Sequence, residues 1–106
     1  MYGNGVYLAE SCSKSDEYTK ENANGERCLL VCRATLGFVN YIDEEVKDPS
    51  QCALSCTKGP YHSVLGDREK LRGTFKEILV YDNSQAYPEY VFWYKRIYGE
   101  VPASTE

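Results

Sequence analysis

Gly3-Asn4-Gly5-Val6-Tyr7-Leu8-Ala9-Glu10-Ser11-Cys12-Ser13-Lys14-Ser15-Asp16-Glu17-Tyr18 is the stretch that decides the fold. It reads as a glycine turn, a short strand over residues 5–9 and a helix over residues 13–20. Gly3 and Gly5 permit a tight turn, or a close approach of backbone to a ligand. Ser13 is placed to cap the helix, and Asp16 three residues on completes a capping box. Ser11, Ser15 and Tyr18 stand at i, i+4 and i+7, so a helix puts them on one face. A hydroxyl and a ring then point the same way, close to Tyr7 at the strand end. Two rings and a small hydroxyl make a slot for a flat, polar ring.

Working outward, residues 27–36 predict a strand. Cys28, Leu30, Cys32, Ala34 and Leu36 take one face; Leu29, Val31, Arg33 and Thr35 take the other. One face is wholly apolar and the other largely so, which predicts a central strand covered on both sides. Gly37 ends it. Residues 38–60 read as a solvated loop, with a turn or helix start at Asp48-Pro49-Ser50 and a helical turn at 51–56. Residues 61–65 predict a short strand, 66–70 a charged connector closed by Gly73. Residues 74–82 alternate, so Phe75, Glu77, Leu79 and Tyr81 share a face. Residues 86–95 form a long aromatic strand, with Pro88 at an edge or a bulge because it cannot donate to a ladder. Residues 99–106 are expected to fray. The order of elements is α+β, a mainly antiparallel sheet with a short helix.

The totals narrow the function. A chain of 106 residues holds at most one small domain. A hydrophobic share of 42% excludes wholesale disorder. The net charge of -4 argues against broad nucleic-acid binding, which needs excess Lys and Arg to release counterions. No apolar run approaches the ~20 residues that span a bilayer, so no membrane partner is expected. No basic segment followed by an apolar core marks a secretory signal. Five cysteines would leave one over in a fully paired framework. Reduced thiols in an intracellular protein, nuclear or cytoplasmic, is the reading this favours. Cys28/Cys32 and Cys52/Cys56 repeat one spacing, but lack the close Cys-x2-Cys pairs of the usual zinc site, so no metal is expected.

Read alone, Glu77 is either a surface carboxylate at a strand edge, as most carboxylates are, or a carboxylate held among apolar groups, where it can meet a ligand hydroxyl. Read alone, Tyr7 and Tyr18 are packing residues, and Ser15 is an ordinary helix residue. His62 reads as a structural or loop histidine.

The stretch from Tyr2 to Tyr18 resembles the signature of the poly(ADP-ribose) polymerase catalytic domain, in which a glycine pair, Tyr-Phe-Ala and Ser-Lys-Ser…Tyr follow one another. Glu77-Ile78-Leu79-Val80-Tyr81-Asp82 and Gln85-Ala86-Tyr87-Pro88-Glu89-Tyr90 resemble that family's last two strands, the second with a tankyrase-like run. Thr35-Leu36-Gly37 and His62-Ser63-Val64-Leu65-Gly66 look like landmarks between them. The resemblance covers most of residues 1–96. It implies the C-terminal half of an ADP-ribosyltransferase fold, residues 1–98 being a partial catalytic domain. It implies NAD as substrate, proteins as acceptors of ADP-ribose, and release of nicotinamide.

By the resemblance, Tyr7 and Glu77 are two of the family's His-Tyr-Glu set and the catalytic candidates. Tyr18 stacks on nicotinamide, Ser15 bonds its carboxamide, and Lys14, Ala9 and Gly5 complete the NAD-binding candidates. The chemistry suits them. Aromatic rings sandwich a flat ring by offset stacking, and a serine hydroxyl both donates and accepts. Cleaving the nicotinamide–ribose bond builds positive charge on the sugar, which a carboxylate stabilises.

The family's triad histidine lies in a motif upstream of this tyrosine, and His62 does not match it. Tankyrases carry a zinc motif that these residues do not match either. The expectation is therefore a chain that lacks the His-bearing half, with sheet edges and apolar surface open to self-association. The alternative is a catalytically inactive, truncated module that binds a ligand or a protein.

Overall fold

A computed structural model describes residues 1–97. The expected tail at 99–106, and the expected domain end at 98, lie outside the described residues. The fold is α+β, as the order of elements predicts. Two separate sheets carry the strands.

The larger sheet has four strands. β1 (Val6–Leu8) and β5 (Glu77–Val80) pair antiparallel, with Tyr7 opposite Leu79. β4 (Ser63–Gly66) lies antiparallel on the other side of β5, with Gly66 opposite Glu77 and Val64 opposite Leu79. β3 (Val39–Ile42) lies parallel to β4. β5 is therefore a central strand. Glu77 and Leu79 share the face on which α2 (Pro49–Thr57) packs, and the core gathers there from Tyr2, Cys52, Val64 and Leu79.

The second sheet is a two-stranded ribbon of β2 (Arg27–Ala34) and β6 (Ala86–Tyr94). Its register shifts between Val31 and Cys32, opposite the Tyr90–Pro88 segment, so Pro88 sits at a bulge as its missing N–H requires. The central position expected for β2 is corrected. Among the described residues it pairs only with β6, and Leu30, Val31, Val91, Phe92 and Trp93 stay exposed. Apolar faces report what a strand is able to bury, not what the described chain supplies to bury it.

Three local readings also change. Residues 38–60 contain β3 where a loop is expected, and the helical turn expected at 51–56 is the body of a longer helix, α2. The start signals of α2 are nevertheless legible, because the Asp48 side chain accepts from Ser50 N at 3.1 Å and Pro49 opens the first turn. The connector after β4 holds α3 (Arg68–Arg72), capped by Asp67, which accepts from Lys70 N at 3.0 Å. α1 runs only over Cys12–Asp16; its N-cap is Ser11, without a side-chain bond, and Ser13 lies inside the helix. Turn bonds prolong it, with Tyr18 N donating to Ser15 O at 3.1 Å and Thr19 N to Asp16 O at 3.1 Å.

The landmarks between the two end motifs meet at one joint. Thr35 N donates to Gln85 O at 2.9 Å, and Gln85 Nε2 donates to Thr35 O at 3.0 Å and His62 O at 2.8 Å. Ser63 Oγ donates to Leu36 O at 2.8 Å. Side chains of Gln85 and Ser63 thus satisfy backbone groups of distant segments where the two sheets meet. His62 belongs to this joint. Its Nδ1 accepts from Phe38 N at 2.9 Å and its ring stacks on Phe38, which is the structural role read from the sequence.

Candidate active site

Glu77 is 2% exposed although it carries a carboxylate. The edge position is thereby excluded: Glu77 starts a central strand, flanked by Gly66 and by the β1 side of the sheet. Its Oε1 lies 3.9 Å from Lys14 Nζ, while its Oε2 is buried without a hydrogen-bond partner. A buried acceptor left unpaired costs stability, so its retention calls for a reason.

Lys14 bridges the helix and the carboxylate. Its ammonium lies 3.5 Å from Glu17 Oε1 and 5.1 Å from the centre of the Tyr18 ring. Partial burial pulls the Lys14 pKa down. The Tyr18 hydroxyl and the charges of Glu77 and Glu17 outweigh that and leave it above its ordinary value. Tyr18 itself is 65% exposed, two residues past the end of α1. Ser15 stands on the last turn of α1, and its hydroxyl has no hydrogen-bond partner among the described residues.

Tyr7 shares the face of Glu77 and Leu79 through its pairing with Leu79. Its hydroxyl is occupied within the N-terminal turn. It accepts from Tyr2 N at 3.1 Å and donates to Gly3 O at 2.8 Å. Tyr7 thus ties the entering chain to β1, while its ring remains 36% exposed. Gly5 approaches protein: a Cβ there would stand 2.9 Å from Tyr81 Cδ1. Ala9 follows β1 and is partly exposed. The structure thus links Tyr18 and Glu77 through Lys14, whereas Tyr7 and Gly5 spend their close contacts on the fold.

Sequence reasoning missed several residues around this group. Tyr2 is buried against Gly66, and Tyr81 Oη donates to Tyr2 O at 2.6 Å. Burial raises the phenol pKa of both Tyr2 and Tyr81. Asp16, Tyr94 and Arg96 form a cluster at the end of α1. They are distant in sequence, so no local pattern announces them. Away from the whole group, a cleft of about 620 Å³ opens beside His62, Tyr81, Asp82 and Gln85, at the opposite end of β5 from Glu77. None of the expected site residues lines it.

Four aspartates sit below their ordinary pKa of 3.8. Arg96 and then Tyr94 hold Asp16 down by hydrogen bonds, Ser50 holds Asp48, Tyr41 and the Lys70 amide hold Asp67, and the Ser84 amide and hydroxyl hold Asp82. A carboxyl with a depressed folded value adds stability above its unfolded value and loses it as pH falls through the folded one. Thermal melts should therefore show a midpoint that is flat from about pH 7 to 5 and drops below about pH 4.

The sequence pattern of the poly(ADP-ribose) polymerase catalytic domain matches residues 1–96. Over 43 residues the chain is 42% identical to a Caenorhabditis elegans protein named poly [ADP-ribose] polymerase tankyrase. That match takes in 41% of this chain and spans 2% of the relative's length. With residues 1–96 matched, and with the signature strand β1 paired directly to the Glu77 strand β5, the chain belongs to the poly(ADP-ribose) polymerase catalytic-domain family.

Proposed function

We propose that the chain carries the nicotinamide side of an NAD-dependent ADP-ribosyltransferase site, acting on protein acceptors inside the cell. The observation that carries this reading is the Glu77 carboxylate, buried at the start of a central strand with Oε2 unpartnered and Lys14 across it. An orphaned buried acceptor is what a ribose hydroxyl would satisfy, so the residues present fit the substrate.

Each residue then has a task. The Tyr18 ring offers a stacking face to nicotinamide. The free hydroxyl of Ser15 serves the carboxamide, donating to its oxygen or accepting from its nitrogen. Lys14, whose ammonium lies over the Tyr18 ring, makes way as the ligand stacks and remains within reach of Glu77. Glu77, itself buried, holds negative charge where cleavage of the nicotinamide–ribose bond places positive charge. Tyr7 keeps β1 and the N-terminal turn in place beside that carboxylate.

A second reading, a module that binds without catalysing, is favoured by the near-complete burial of Glu77 behind Lys14. Calorimetric titration tests both readings. Nicotinamide should bind saturably, and Tyr18→Ala should weaken binding by about tenfold or more, the scale of a lost ring-stacking partner plus its buried area. Binding together with nicotinamide release from NAD supports the enzyme, and binding without release supports the module. A folded chain that ignores nicotinamide excludes the enzyme and a nicotinamide-binding module, and leaves only a module that binds a protein.

A further inference from the structure

Tyr18 is the most exposed of the residues assigned to the site, so packing does not fix its ring. Its place depends on the backbone at residues 16–19, and that segment is held from the ribbon. Asp16 is gripped by Arg96: Nη2 lies 2.6 Å from Oδ2, Nε donates to Oδ1 at 3.1 Å, and Nη2 donates to the Asp16 carbonyl at 3.0 Å. Tyr94 Oη donates to the same carboxylate and also meets Thr19 Oγ1 at 3.4 Å. Arg27 Nη1 donates to Thr19 O at 2.7 Å and to Thr19 Oγ1 at 3.1 Å. Arg27 and Tyr94 face each other at the end of the ribbon.

Tyr18 thus sits between two anchored residues, Asp16 and Thr19. Both anchors are charge-assisted, and one is bidentate, which fixes direction as well as distance. α1 has no side-chain cap and only five residues, so it cannot hold this segment alone. We propose that Asp16 and Arg96 are positioning residues for the nicotinamide site, locking the segment that presents Tyr18 and Ser15. This rests on the reading of the site given above. The same contacts join the ribbon to α1, so a displacement of the ribbon end alters the stacking ring.

Three variants test it: Asp16→Asn, Arg96→Gln, and Asp16→Asn in a Tyr18→Ala background. The first readout is amide hydrogen exchange under native conditions. Asp16→Asn and Arg96→Gln should each speed exchange at Tyr18 and Thr19 by about tenfold, the scale of a lost charge-assisted contact, while Leu79 in β5 keeps its rate. The second readout is nicotinamide affinity. Asp16→Asn should weaken it about tenfold in the wild-type background, and by less than about twofold once Tyr18 is alanine, because residues that act through one another do not add.

Exchange at Tyr18 and Thr19 unchanged by either substitution overturns the anchoring. An affinity loss that persists undiminished in the Tyr18→Ala background overturns the coupling to the ring, and assigns Asp16 a merely structural role. The underlying site reading fails separately: if wild-type binding survives Tyr18→Ala, the ring is not the stacking partner, whatever the exchange rates show.

Discussion

Glu77→Leu should raise the melting midpoint of the chain and, on the function proposed above, slow release of nicotinamide from NAD about a hundredfold. The two halves of this expectation come from one fact. Glu77 occupies a core position with an unpartnered Oε2, and its ion pair with Lys14 spans 3.9 Å, too long for a strong hydrogen bond. Replacing a poorly paired buried ion by an apolar group of similar volume is often neutral or favourable, here by about 1 kcal/mol or more. Leucine also suits the site, since Leu79 and Val64 line the same face and Lys14 keeps Glu17 as a partner. The catalytic loss should reach about a hundredfold, the usual scale for removing a group that stabilises transition-state charge. Melting curves and chromatographic assay of nicotinamide check the two halves independently. A variant that melts lower would mean the carboxylate holds the fold together, and would turn Glu77 into a structural residue.

Gly66→Ala should destabilise the chain by about 3 kcal/mol, the scale of losing a buried aromatic from a core. Gly66 lies opposite Glu77 in the sheet, and the ring of Tyr2 packs directly on its Cα, so an added methyl would occupy the ring's own position. Tyr2 is one of only a few buried hydrophobic residues among those described, and its carbonyl takes the hydrogen bond from Tyr81. Expelling it uncovers Leu79 and Cys52 together. Urea titration should give a lower midpoint, and near-ultraviolet dichroism should lose tyrosine signal. A midpoint equal to that of the wild type would mean that the N-terminal segment does not seal the core.

Much of this was legible before any coordinates, for reasons that differ by residue. Alternation placed Glu77 on the face of Leu79, and the absent N–H of Pro88 announced the bulge. Both depend on the pleat, which is a local property. Cap chemistry also reads locally, but it competes with neighbours. Ser13 has the side chain of a cap, yet the helix starts after Ser11, whereas the Asp48-Pro49-Ser50 start does open α2. The placement of β2 was not legible, because two apolar faces are compatible with a central strand and with a ribbon that leaves Leu30 and Trp93 uncovered. The site divides in the same way. Lys14 and Tyr18 are one helical turn apart, so their meeting follows from spacing. The grip of Arg96 on Asp16 depends on the ribbon folding back across most of the chain, which no window of sequence contains.

The measurement that bears most directly on the central claim is a nitrogen-15 amide map of the chain titrated with nicotinamide. The account predicts saturable shifts at Lys14, Ser15, Tyr18 and Glu77, with residues around the distant cleft, His62, Asp82 and Gln85, left in place. Shifts confined to that cleft, or none from a chain whose spectrum is well dispersed, would contradict it.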